Sequence, residues 1–266
     1  MKKEQKKKNG PIFIFTSFVK KTRTKKNISF FFVRATYYYF YYFRIMSEPL
    51  SKVLHKAIKN GRVDEVQHLL ENGADPNRPD EYGATPFHWT FNDRNTEMMA
   101  LMLRKGADPN ATDKRGWTPL HMASHDGRAD VVTLLLQSGA DPNRINNRGV
   151  VPLYWAIRRG HLEAVALLLQ NGADPNQFDA LGRSLIYWIS LRGYTKVLAL
   201  LLKSGANPNQ PDNHGKTPLH WAIEYGHSKT VKLLLKSGAE PRTIEREQKR
   251  REHERDAEES SNKKQR

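Results

Sequence analysis

The chain has 266 residues, no cysteine and a formal net charge of +16. That length is enough to bury a sizeable core, and the missing cysteines exclude disulfides and thiolate metal sites and fit a reducing, cytoplasmic compartment. The charge invites a nucleic-acid or membrane reading, but residues 1–45 alone carry +11 and residues 242–266 carry +2, so the long middle holds only +3.

The N-terminal stretch has two apolar runs, Ile12 to Val19 and Ile28 to Met46. A spanning helix needs about 20 consecutive apolar residues, whereas the second run is broken by Arg34 and built largely from tyrosine. No small-residue cleavage pattern follows either run, so a signal peptide is not indicated. Dense in Lys, Asn, Ile, Phe and Tyr and without a helical or strand period, the stretch reads as a disordered, basic, aromatic-rich leader. It reads equally as upstream sequence translated ahead of a true start at Met46. The alternative is a real leader that contacts anionic membrane surfaces.

A fixed period governs residues 46–241. Gly-Ala-Asp-Pro-Asn begins at Gly73, Gly106, Gly139 and Gly172, with variants at Gly205 and Gly238, and every step is 33 residues. A second marker keeps the same register: Thr85-Pro86-Phe87-His88, Thr118-Pro119-Leu120-His121, Val151-Pro152-Leu153-Tyr154, Ser184-Leu185-Ile186-Tyr187 and Thr217-Pro218-Leu219-His220. A period of this kind signals stacked structural repeats. The expected units are 51–79, 80–112, 113–145, 146–178, 179–211 and 212–241.

Within a unit the Thr caps a free backbone N–H and Pro takes the first helical position, where its missing donor costs nothing. A short helix ends near Gly127, Gly160, Gly193 or Gly226, and a second carries an apolar stripe such as Val131, Val132, Leu134, Leu135 and Leu136. Ser138-Gly139 then stops that helix, Gly supplying the left-handed geometry, and Asp-Pro-Asn turns the chain into an extended segment. Asp75, Asp108, Asp141 and Asp174 are thus turn formers. One helix pair cannot bury its own stripe, so the units must stack into an all-α solenoid.

These markers resemble the ankyrin repeat family over residues 51 to 241. The resemblance implies a helix-turn-helix solenoid with extended turn tips that serves as a non-catalytic protein-protein interaction scaffold. It implies a partner meeting the turn tips and the exposed face of the first helices. It also implies that turn asparagines at Asn110, Asn143 and Asn176 match positions hydroxylated in some organisms.

Departures from the pattern have consequences. Lys229, Lys232 and Lys236 on the last helix suit a terminal cap facing water. Val151 cannot cap a helix and Ser184-Leu185 lacks the proline, so both first helices should start less firmly, by about 1 kcal/mol for a lost cap. Arg94 replaces the expected glycine, which predicts an altered turn at Asn92-Asp93-Arg94-Asn95. Residues 242–266 read as a charged, solvated tail.

No phosphate loop, nucleophile elbow or cysteine nucleophile is present, so no enzyme, cofactor or metal is expected. The recurring His55, His88, His121 and His220 are a repeat apart, about 10 Å for packed helices, too far to share one ion. Each is expected to bond within its own Thr-Pro-x-His turn. His121 and His125 have the spacing of a zinc helix, but Met122 stands where the glutamate base belongs. Trp89, Trp155, Trp188 and Trp221 occupy one repeat position. Packing between units is favoured over a ligand-binding ladder.

The tips and first-helix ends of the middle units carry seven basic residues against one acidic, Asp126. The candidate partner-binding residues are Lys114, Arg115, Trp117, Arg148, Arg158, Arg159, Arg183, Arg192 and Tyr225, in a monomer whose partner has an acidic segment. Nucleic-acid or anionic-membrane binding through this patch and the leader is the alternative.

Overall fold

The computed structural model describes residues 49–91 and 95–241. The leader, the C-terminal tail and Asn92, Asp93 and Arg94 therefore lie outside the described residues. The chain divides into two units, Met1–Val53 and Leu54–Arg266. Of the first, the described part is Pro49 and the start of helix α1 (Leu50–Lys59).

In the second unit the described residues form short helices in pairs. These are α2 (Val63–Glu71), α3 (Pro86–Trp89) with α4 (Thr96–Arg104), and α5 (Pro119–Asp126) with α6 (Ala129–Gln137). They continue with α7 (Pro152–Arg159) and α8 (Leu162–Gln170), α9 (Leu185–Arg192) and α10 (Thr195–Lys203), and α11 (Pro218–Glu224) and α12 (Ser228–Lys236). No strand occurs among the described residues; one isolated antiparallel bridge joins Phe178 and Ser184.

The helices begin and end where local chemistry dictates. Thr118 Oγ1 accepts from the His121 backbone N–H, which satisfies one of the free donors at the start of α5. At its end Gly127 takes a left-handed conformation, φ 71°, open to glycine without steric cost. The second helices close with paired bonds, Ala140 N–H to Leu135 O and Gly139 N–H to Leu136 O. That pattern consumes two end carbonyls and buries the alanine, which explains the recurring Gly-Ala dipeptide.

The two departures in capping come out differently. Val151 makes no side-chain cap bond. The expectation for Ser184 needs correction: its Oγ accepts from the Tyr187 N–H, so α9 keeps its cap and loses only the proline.

First helices pack on first helices (α5 on α7, α7 on α9, α9 on α11) and second on second, from α2 on α4 through α10 on α12. The apolar stripes meet between these layers, where Leu120, Ala123, Val131, Val132, Leu135, Leu153, Val165, Leu168, Leu198 and Leu201 are fully buried. Burial of such side chains is worth about 1.5–3 kcal/mol each. On the last helix Lys229, Lys232 and Lys236 are exposed. The stack leaves the tips between the helix pairs, and the ends of α5, α7 and α9, to carry the candidate site.

Candidate functional site

Each tip is built on a buried or half-buried Asp or Asn. Asp113 Oδ1 accepts from the N–H groups of Arg115 and Trp117, while the Asp113 N–H donates to Trp117 O. Asp80, Asn146, Asp179 and Asp212 repeat these side-chain contacts. Tip glycines cross over at positive φ, and at Gly116 a Cβ would lie 2.8 Å from the Asn147 backbone nitrogen of the next tip. The tips are therefore zipped together, with Asn147 N–H donating to Arg115 O at 3.1 Å.

The second carboxylate oxygen clips the tip to the first helix. Trp89, Trp188 and Trp221 donate their indole N–H to Oδ2 of Asp80, Asp179 and Asp212 at 3.0, 3.2 and 3.0 Å. The nine-residue Asp-to-Trp spacing was visible in the sequence and was the signal that would have found this clip.

Histidines hold neighbouring units together. His121 Nδ1 accepts from the Thr118 N–H, and its other nitrogen donates to Val150 O of the following unit at 3.1 Å. His88 does the same with Thr85 and Trp117 O. The expected bond within the turn is present for His88, His121 and His220, whereas His55 follows no Thr-Pro pair; the bridge onward from His88 and His121 is additional. Burial pushes the His121 pKa down to about 4 and lowers that of His88. Asn110, Asn143 and Asn176 each donate to a glycine carbonyl of the next loop and accept a backbone N–H from it.

Where Tyr154 and Tyr187 replace histidine, aromatic contacts replace those bridges. Tyr154 meets Trp188 edge-on at 5.9 Å and Tyr187 meets Trp221 at 5.2 Å. Trp117 lies 4.9 Å from Trp155, and His125 sits against both. Trp155 and Trp188 are buried. Exposed Tyr225 extends the column from Trp221.

The candidate cations fall into two groups. Arg115 and Arg183 are bound to the turn carboxylates: Arg115 meets Asp113 Oδ2 at 3.0 Å, and Arg183 meets Asp179 Oδ2 at 2.8 Å through two nitrogens. Burial opposes the charge of Arg183, but the bond to Asp179 outweighs it and holds the guanidinium pKa above its ordinary value. Lys114, Arg148, Arg158, Arg159 and Arg192 are exposed and have no carboxylate partner among the described residues.

Arg158 donates to Tyr154 Oη at 2.6 Å and stacks 5.0 Å from the Trp188 ring centre, with Arg183 4.4 Å from that centre. Arg159 donates to His125 Nε2 at 2.6 Å, while His125 Nδ1 meets Asp126. Arginine has no acceptor, so His125 Nε2 is the acceptor in this contact. Lys114 and Arg148 stand on the tips, and Arg192 and Tyr225 stand at the ends of α9 and α11.

Comparison with known proteins agrees with this architecture. A family model described as ankyrin repeats (3 copies) matches residues 51–113, 90–179 and 153–244. An ankyrin repeat domain from Acinetobacter baumannii AYE is 33% identical, with TM-score 0.68 over 70% of this chain and 98% of its own. The ankyrin repeat domain of Bcl-3, a member of the IkappaB family, is 30% identical with TM-score 0.65, over 70% of this chain and 86% of its own. No curated protein matches in sequence. Among the described residues no helix is long and apolar enough to cross a membrane. Ankyrin repeats are generally protein-protein interaction modules, and their fold is typically non-catalytic. With matched segments running without a gap from residue 51 to 244, the chain belongs to the ankyrin repeat family.

Proposed function

We propose that this chain is a non-catalytic scaffold that holds an acidic segment of another protein across the turn tips and the ends of α5, α7 and α9. The observation that carries the proposal is the division among the cations. Arg115 and Arg183 are neutralised by turn carboxylates, whereas Lys114, Arg148, Arg158, Arg159 and Arg192 are exposed with no such partner among the described residues. Arg158 is also braced by Tyr154 and Trp188, so less side-chain freedom is lost when it meets a carboxylate. Arginine and aromatic residues are the types over-represented among interface hot spots. The proposal takes residues 46–241 as the array, acting as a cytoplasmic monomer.

The test is capture of partner proteins by the whole chain, compared with the Arg158→Glu/Arg159→Glu variant. Loss of the main captured protein is expected. Unchanged capture discards the patch, and retention of DNA that depends on the same two arginines would favour a nucleic-acid binder instead.

A further inference from the structure

The tryptophan column is interrupted once, at Met122, which takes the position of Trp89, Trp155, Trp188 and Trp221. In three of those units the indole reaches the turn aspartate nine residues earlier. Here no indole is available, and Asp113 Oδ2 accepts from Arg115 instead. The space beside Met122 is an open cleft of about 460 Å³, walled by Tyr82, His88, Trp89 and Met122 with Lys114 and Arg115 beside them.

The chemistry of this cleft is specific. Its aromatic rings and thioether suit a flat or large apolar side chain, since sulfur and ring faces are polarizable. Tyr82 is 64% exposed, so part of its ring is available to a visitor. Asp113, also on the lining, is already occupied by Arg115 and by two backbone N–H groups. Lys114 is exposed and has no such carboxylate partner among the described residues, so its charge is available to a visitor.

We infer that this cleft is an anchor pocket for one aromatic or large apolar side chain of an acidic, extended peptide. The inference rests on the acidic-partner reading above and names the residue type that reading leaves open. Lys114 lies at the cleft and Arg148 one unit onward. Units about 10 Å apart correspond to about three residues of extended chain. The partner segment therefore carries a carboxylate next to its anchor and another about three residues away.

The probes are two labelled peptides of alternating Glu and Gly, one with a single central Phe, titrated against the full chain by fluorescence anisotropy. The Phe peptide is expected to bind about tenfold more tightly. Met122→Trp, which supplies the indole found in the neighbouring units, should abolish that advantage, while Phe-free binding, carried by Arg158 and Arg159, persists. Met122→Leu should keep the advantage. Tyr82→Ala, at an exposed site that cannot unfold the chain through lost packing, should reduce it.

Equal binding of the two peptides, or an advantage that survives both Met122→Trp and Tyr82→Ala, overturns the anchor pocket alone. If neither peptide binds, or if Phe-free binding ignores Arg158→Glu/Arg159→Glu, the acidic-partner reading fails and the pocket falls with it.

Discussion

Trp155 has Asn146 where the equivalent Trp188 has Asp179, and both Trp155 Nε1 and Asn146 Nδ2 are buried without a hydrogen-bond partner. The amide cannot turn round to help, because Asn146 Oδ1 already accepts from the N–H groups of Arg148 and Val150. A carboxylate would keep those two bonds and offer Oδ2 to the indole, as Asp179 does at 3.2 Å. An unmet buried donor costs about 1–3 kcal/mol.

Asn146→Asp is therefore expected to stabilise the chain by about 1–2 kcal/mol, read as a raised urea midpoint with unchanged m-value. Trp155→Phe, which deletes one orphan donor, should cost less than Trp188→Phe, which deletes a bonded one. A lower midpoint for Asn146→Asp would show that the present pair is already satisfied.

Acid should loosen the stack through the histidine bridges. His121 has a pKa near 4 in the folded chain against an ordinary 6.5, so the unfolded state binds the extra proton first. The protonation site is Nδ1, which faces the Thr118 N–H donor, so the charged form loses that bond as well as its hydration. The stabilisation is complete above pH 6.5 and is lost as pH falls towards 4, by about 3 kcal/mol for this one residue. His88, shifted in the same direction, adds to the slope. Urea midpoints measured across that window should fall steeply for the parent chain and less steeply for His121→Gln. Parallel profiles would remove His121 from the account.

Two glycines with similar backbone angles separate conformational cost from packing. Gly127 and Gly139 have φ of 71° and 86°, where any other residue is strained by about 1–2 kcal/mol. A Cβ on Gly139 would touch nothing within 4 Å, whereas one on Gly127 would collide with the His161 ring of the next unit. Gly139→Ala should therefore cost about 1 kcal/mol, and Gly127→Ala at least about twice that. The excess should shrink when His161 is also changed to alanine, since the two sites are coupled.

The 33-residue period made the helix pairs legible, because Thr-Pro and Gly-Ala are each tied to one local geometry. The chemistry of the tips was less legible. Counting Arg115 and Arg183 as free cations overlooked Asp113 and Asp179, whose carboxylates turn back beneath the tips and bind those same arginines. Charge along a chain is linear, whereas a turn brings a residue into contact with one two or four places away. The bonds of His88, His121 and His220 within their turns were legible, but the reach of His88 and His121 to Trp117 O and Val150 O depends on how closely units stack, and no single unit encodes that distance.

The same division of cations predicts that two candidate arginines, half-buried Arg183 and exposed Arg192, behave oppositely when removed. Arg183 is the counter-ion of buried Asp179, which also receives the Trp188 indole. Arg183→Leu leaves that carboxylate buried without its cation, and should cost about 3 kcal/mol of stability, near the lower end for breaking a buried pair. Arg183→Lys should recover only part of this, because one ammonium cannot reproduce the contacts of two guanidinium nitrogens. Arg192 has no ion partner among the described residues, so Arg192→Leu should change stability by less than about 0.5 kcal/mol. Its effect belongs to binding: affinity for a Glu-Gly peptide should fall, and the difference from the parent should narrow as salt rises, since exposed charges are screened. Paired urea and anisotropy measurements on the two variants check both halves, and equal loss of stability in both would contradict the division between structural and partner-facing arginines.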